Sequence, residues 1–366
     1  MGVSQGQDDW QRAVLGDVGV GVGVSGQEVS PAPPPLATPP TPVQAQAAQA
    51  PYPSAPAPVQ APAAAAVLGP DARALVSAKP RSGESVLGRG IGTLRRLFTS
   101  SAAAEVEQAT RVGQQLQQPV TTGRQIVVTG VRGGAGKSTL AALLGSVYAH
   151  YRPDPVLVVE ADSTLGTLPV RLGVESLRWT VEDLARVVAP SMRFDQITGY
   201  LAELPEGGWL LPCTRGQIGA QVSWKSYEMV AVALRRYFAV TVVDCESLPG
   251  ELARSAMAGA QARVIVAPAT LEGVTSTRPV LEWMASLPRP MLPSTVVALV
   301  ATSPDTVLDP AAATEYLAVD GVRVVAVPYD RHLAAGGAIR LPLLARGTRD
   351  GVAALAAEVL GRAVRE

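Results

Sequence analysis

Lysine is nearly absent from this chain: Lys79, Lys137 and Lys225 stand against many arginines. A chain that otherwise chooses Arg keeps Lys where a compact, flexible point charge is wanted. Net charge is also missing, since acids and bases balance to zero. That argues against binding a polyanion through bulk positive charge, although a local patch stays possible. The two cysteines, Cys213 and Cys245, make neither a disulfide framework nor a zinc site. Both fall in apolar, strand-like runs and read as buried thiols in a reducing cytoplasm. No apolar run reaches the roughly 20 residues that span a bilayer. The start, MGVSQGQDDW, lacks the basic then apolar pattern of a secretory signal.

What the chain does have is one stretch of dense meaning, Gln125 to Tyr148, QIVVTGVRGGAGKSTLAALLGSVY. Ile126 to Thr129 is a short β-branched run that predicts a buried strand. Gly130 to Gly136 is a glycine-rich turn. Lys137 to Tyr148 carries Leu140, Leu143, Leu144 and Val147 at helical spacing. Strand, glycine turn and helix together are the context in which a phosphate loop works. Glycines let successive N–H groups converge on an anion, and the helix N-terminus adds unpaired donors. Lys137 would reach the β- and γ-phosphates, and the Ser138 hydroxyl would ligate Mg2+. The general motif asks for Gly where Val131 stands, but GGAGKST is intact. The competing reading is a turn that merely joins a strand to a helix.

Residues 1–83 predict a disordered Pro/Ala-rich arm, because prolines block helix and sheet and alanines bury too little. Such a tract samples extended polyproline conformations and serves as a tether or a plain spacer. Residues 84–120 contain the basic, amphipathic TLRRLF segment and then a polar helix over Ala102 to Gln117. The first piece is either a docking helix for a membrane or partner, or a preface helix lying on the next domain. From residue 121 to 366 strands and helices alternate, which predicts one α/β domain with a mostly parallel sheet flanked by helices. Within it, Thr180 to Val188 reads as a helix with a Thr180–Asp183 capping box. Two strand-like runs end in acids: PVLVVEA at Asp162 and VTVV at Asp244. An acid at such a place can hold a magnesium-bound water or orient an attacking one, or it can simply form a turn.

These residues resemble the MinD/ParA class of deviant Walker ATPases, whose KGGxGK[ST] reads RGGAGKS here, over roughly Arg124 to the C-terminus. Within that class the order of segments is most similar to EspI-type ATPases linked to type VII secretion in actinobacteria. Those segments are the Pro/Ala arm, LRRLF, AAEVEQATRV, EADSTLGTLPVRLG, VVDCES and VVAVPYDRHLAAGGAI. The resemblance implies a P-loop NTPase fold with ATP and Mg2+ as cofactors. Gly133, Gly134, Ala135, Gly136, Lys137, Ser138 and Thr139 would bind phosphates, and Ser138 and Asp244 would hold the metal. Asp162 would position the hydrolytic water, and Pro328 and Tyr329 would lie near the base. Arg132 stands where the class has its signature lysine, which crosses to a partner's phosphates in a nucleotide-dependent homodimer.

Three departures qualify this. Arg132 keeps the charge but is bulkier than lysine. ALVATSPDT offers no Asn for base recognition, so ATP over GTP is inherited from the class. The C-terminus lacks a strongly basic amphipathic helix, so membrane cycling is not expected. The resulting expectation is a cytoplasmic, slowly hydrolysing, dimerising ATPase that switches a protein partner of a secretion or positioning system. A non-hydrolysing nucleotide scaffold and a DNA-binding, ParA-like partitioning ATPase are the alternatives.

Overall fold

Strands that are apolar on both sides have to be covered on both sides, and the sheet here is built from such strands. The computed structural model describes residues 61–69, 82–83, 102–162, 166–217, 221–288, 290–305 and 308–365. The strands in chain order are β1 (Ala65–Ala66), β2 (Arg124–Gly130), β3 (Val156–Ala161), β4 (Ser176–Leu177), β5 (Ala202–Glu203), β6 (Trp209–Leu211), β7 (Val240–Ser247), β8 (Ala262–Pro268), β9 (Thr295–Val300) and β10 (Arg323–Val327). The helices are α1 (Ala102–Leu116), α2 (Lys137–Tyr151), α3 (Leu168–Arg171), α4 (Val181–Ala185), α5 (Phe194–Thr198), α6 (Trp224–Leu234), α7 (Glu251–Gly259), α8 (Leu271–Ala285), α9 (Pro310–Leu317), α10 (Arg331–Ala334) and α11 (Arg346–Arg365).

Eight strands form one sheet in the order β10-β9-β8-β2-β7-β3-β6-β5. Every neighbouring pair is parallel except β5 with β6. The predicted mostly parallel α/β sheet is therefore what the chain forms. Ile126 and Val128 of β2 join α2 and α11 in one buried cluster, and Tyr148 donates to the Ala356 carbonyl across it at 2.8 Å. On the opposite face, Gln125 donates to Tyr227 of α6 and to the Ala256 carbonyl of α7. The pairing of β2 with β7 slips between Val128 and Gly130: Val128 faces Asp244, but Gly130 faces Ser247.

Several boundaries differ from expectation. β7 runs through Asp244 to Ser247, so that acid lies inside the strand and not at its end. α8 begins at Leu271, where Thr270 caps it by accepting from the Gly273 N–H. α11 begins at Arg346, although the glycines of RGTRDG make its first turns hard to read from sequence. The Thr180–Asp183 capping box is present, on a helix shorter than expected. The short helices α3, α5 and α10 were not anticipated.

Part of the expected arm is seated on the domain. β1 pairs antiparallel with β4, and Val67 donates to the Glu175 carbonyl. Gly83 donates to the Leu343 carbonyl at 2.7 Å. The rest of the arm and the TLRRLF segment lie outside the described residues. The polar helix α1 is present and docks through a Glu105–Arg346 ion pair at 2.6 Å and a buried Leu116. Arg152 donates to the carbonyls of Leu116, the last residue of α1, and of Gln118 just beyond it.

Candidate functional site

Residues Val131 to Gly136 carry the chain from β2 to α2. Gly134 and Gly136 sit at φ 73 and 92, a left-handed backbone that a side chain would strain. A Cβ added at Gly133 or Gly134 would meet nothing within 4 Å, so the outer side of the turn is open. Ala135 is buried beneath it. α2 starts from Gly136 with no side-chain cap, which leaves its first N–H groups for a ligand anion.

Lys137, the first residue of α2, is buried. Its Nζ donates to Ser247 Oγ at 2.8 Å and to the Arg132 carbonyl at 3.4 Å. Ser247 was missed from the sequence, and only the pairing of β2 with β7 brings it there. Arg132 is exposed, and its Nε donates to Ser276 Oγ of α8 at 3.3 Å.

Asp244 is fully buried, and neither carboxylate oxygen has a hydrogen-bond partner. Burial pushes its pKa up to about 7. Asp162 adds to that rise, while the Ser138 hydroxyl and Lys137 pull the other way. The Ser138 hydroxyl acts on it without closing a hydrogen bond of normal geometry. Glu160, paired opposite Asp244 in the sheet, is pushed up to about 8 by burial and then by Asp244. The N–H groups of Cys213 and Leu168 draw it down again. A Cβ on Gly166 would sit 2.2 Å from Glu160 Oε1, so this acid occupies space that only glycine leaves. Asp162 follows β3 directly, as expected; residues 163–165 after it lie outside the described set. Glu246, to which the sequence assigned no role, lies by the start of α7; burial raises its pKa first, Asp162 adds to the rise, and the nearby Ala253 and Leu252 N–H groups draw it down.

Pro328 and Tyr329 are brought to the same place. They line a cleft of about 180 Å³ with Gly134, Gly136, Thr139, Arg171 and Thr302. The cleft thus joins the glycine turn to the carboxyl ends of β9 and β10, where open α/β sheets take ligands.

The fit of a divalent cation can be judged from the donors. Among the described residues no group of three or more His, Cys, Asp or Glu side chains is placed to hold a metal by itself. One hydroxyl and one buried, orphaned carboxylate instead suit magnesium, which keeps waters and takes oxygens from a bound phosphate. Among the described residues no helix is long and apolar enough to cross a membrane.

No family model matches the chain. It is 27% identical over 226 residues to the ESX-1 secretion-associated protein EspI of Mycobacterium tuberculosis, covering 60% of this chain and 34% of that protein. It is 31% identical over 144 residues to the septum site-determining protein MinD of Synechocystis, covering 39% of this chain and 52% of that one. The chain therefore spans about a third to a half of the length of these relatives. Its fold is similar to that of a ParA family ATPase from Chlorobium tepidum, with TM-score 0.53 and 12% identity, over 64% of this chain and 98% of the other.

Proposed function

This chain is a P-loop protein of the MinD/ParA type related to EspI, and on that premise we propose that it binds ATP with magnesium and hydrolyses it slowly. The carrying observation is the meeting, at one glycine turn, of a buried lysine and a buried carboxylate whose oxygens have no partner. An unpaired buried carboxylate is costly, which supports a site completed by a ligand. In this reading the loop N–H groups, Lys137 and Thr139 receive the phosphates. Ser138 and Asp244 hold magnesium, which would neutralise phosphoryl charge when bound. Asp162 orients the attacking water. Arg132 reaches a second copy's phosphates, so that nucleotide drives a homodimer. Pro328 and Tyr329 flank the base. Catalysis then comes from positioning and charge stabilisation. The likeness to EspI supports placing the switch with a protein partner of a secretion apparatus of type VII.

Steady-state phosphate release by the full chain, with Lys137→Ala as control, tests the enzyme. Release no faster than the control's removes hydrolysis from the proposal. Light scattering with ATP and magnesium tests the dimer. A second reading, a nucleotide-binding scaffold without turnover, is favoured by one observation: Arg132 is engaged by Ser276 of its own chain. Tight ATP binding with no phosphate release would select it.

A further inference from the structure

The cleft that holds Pro328 and Tyr329 also holds a cation that the phosphate reading does not use. Among its described lining residues Arg171, the last residue of α3, is the sole cation and Asp330 the sole anion. Asp330 is committed elsewhere. Its Oδ1 accepts from the His332 and Leu333 N–H groups, and its Oδ2 accepts from the Ala345 N–H. Arg171 makes one side-chain hydrogen bond, Nη1 to the Leu333 carbonyl at 3.1 Å, and no ion pair among the described residues. Its own carbonyl accepts from the Ile339 N–H at 2.8 Å, which fixes α3 against the far wall of the cleft.

Arg263 and Arg152, both buried, make more bonds. Arg263 donates to the Met257 and Ala260 carbonyls and to Ser294 Oγ. Arg152 has two carbonyls and the Asp154 carboxylate. A guanidinium carries five N–H donors, and the Arg171 nitrogens without a protein partner are not sealed in the core, so they stay accessible to a ligand. Arg171 is half-buried. Burial draws its pKa below the usual arginine range, and no neighbouring acid restores it. Donors held in reserve on the wall of a ligand cleft are what a site for electron-rich groups needs.

We propose that Arg171 fixes the nucleoside end of the bound nucleotide, its unused N–H groups donating to ring-nitrogen and carbonyl lone pairs of a purine. This rests on the nucleotide reading above. It gives the site a base-side contact that the absent Asn of ALVATSPDT would otherwise leave unfilled. It also separates two jobs: the glycine turn and Lys137 take the phosphates, and α3 takes the base.

The test is calorimetric titration of the full chain with magnesium ATP, magnesium GTP and inorganic tripolyphosphate. Arg171→Ala is expected to weaken both nucleotides by about tenfold or more, the share of one charge-assisted hydrogen bond. Tripolyphosphate binding should stay within about twofold. Arg171→Lys keeps a donor for the Leu333 carbonyl; with unchanged melting it should still show a nucleotide-selective loss. Equal loss for nucleotide and tripolyphosphate puts Arg171 on the phosphates and overturns the proposal, as does no loss for either. A wild-type chain that binds tripolyphosphate as tightly as ATP also overturns it. A wild-type chain that binds neither overturns the nucleotide reading itself, a distinct result.

Discussion

The end of the cleft proposed to take phosphates is made from one uninterrupted run, Gly130 to Thr139, whose exposed groups are mostly backbone. The end proposed to take the nucleoside is gathered from the ends of α3, β9 and β10 and from α10, segments far apart in sequence. The first end depends on glycine torsion and one ammonium, and the second on side chains that meet only once the sheet is ordered. Damage to the first should weaken every phosphate ligand alike, and damage to the second should spare ligands that have no base.

The sharpest way to break this contrast is Lys137→Ala. Loss of a buried cation from the phosphate seat should lower phosphate release about a hundredfold or more. Titration should show tripolyphosphate and ATP suffering together; survival of tripolyphosphate binding would erase the distinction between the ends. Next comes Asp244. It and Glu160 hold their protons more tightly folded than unfolded, with pKa values of about 7 and 8. Their contribution to stability is therefore complete below about pH 4 and is lost as pH rises through 7 to 8. Urea melts of the nucleotide-free chain should show lower stability at pH 8 than at pH 5. Asp244→Asn should gain about 1–3 kcal/mol at pH 8 while losing magnesium-dependent affinity.

Gly136→Ala is a smaller blow. The added Cβ has room, its nearest neighbour being Val300 at 3.8 Å, so the penalty is the left-handed backbone alone, about 1–2 kcal/mol. Thermal melts should record it, with tripolyphosphate binding reduced in step. The smallest expected effect lies at the other end. A Cβ on Gly83 would meet the Ala345 backbone nitrogen at 2.3 Å and come within 3 Å of the Asp330 carboxylate, whose chain segment lines the end of the cleft proposed for the base. Gly83→Ala should weaken ATP by a few-fold and leave tripolyphosphate unchanged. Equal weakening would show that the arm supports the whole domain rather than one wall.

The same contrast explains what was legible. The phosphate loop could be read because its residues are consecutive and two of its glycines, Gly134 and Gly136, have a torsional reason. The parallel sheet could be read because its strands are continuously apolar. Asp162 could be singled out as a candidate because it follows such a strand directly. Ser247 escaped because its meeting with Lys137 depends on strand pairing. Arg171, proposed here for the base, could not be singled out because α3 is a single turn and shows no periodicity. Pro328 and Tyr329 came from family likeness alone, since nothing local marks a residue as a cleft wall.

The register slip between β2 and β7 has one further result. Side chains along a strand alternate, so residues three apart ordinarily look away from each other. The extra residue of β7 resets that parity. Both the carboxylate of Asp244 and the hydroxyl of Ser247 thereby address the start of α2. A deletion that restored regular pairing would turn one of them to the far side of the sheet, taking either the acid or the hydroxyl away from Lys137 without changing either residue.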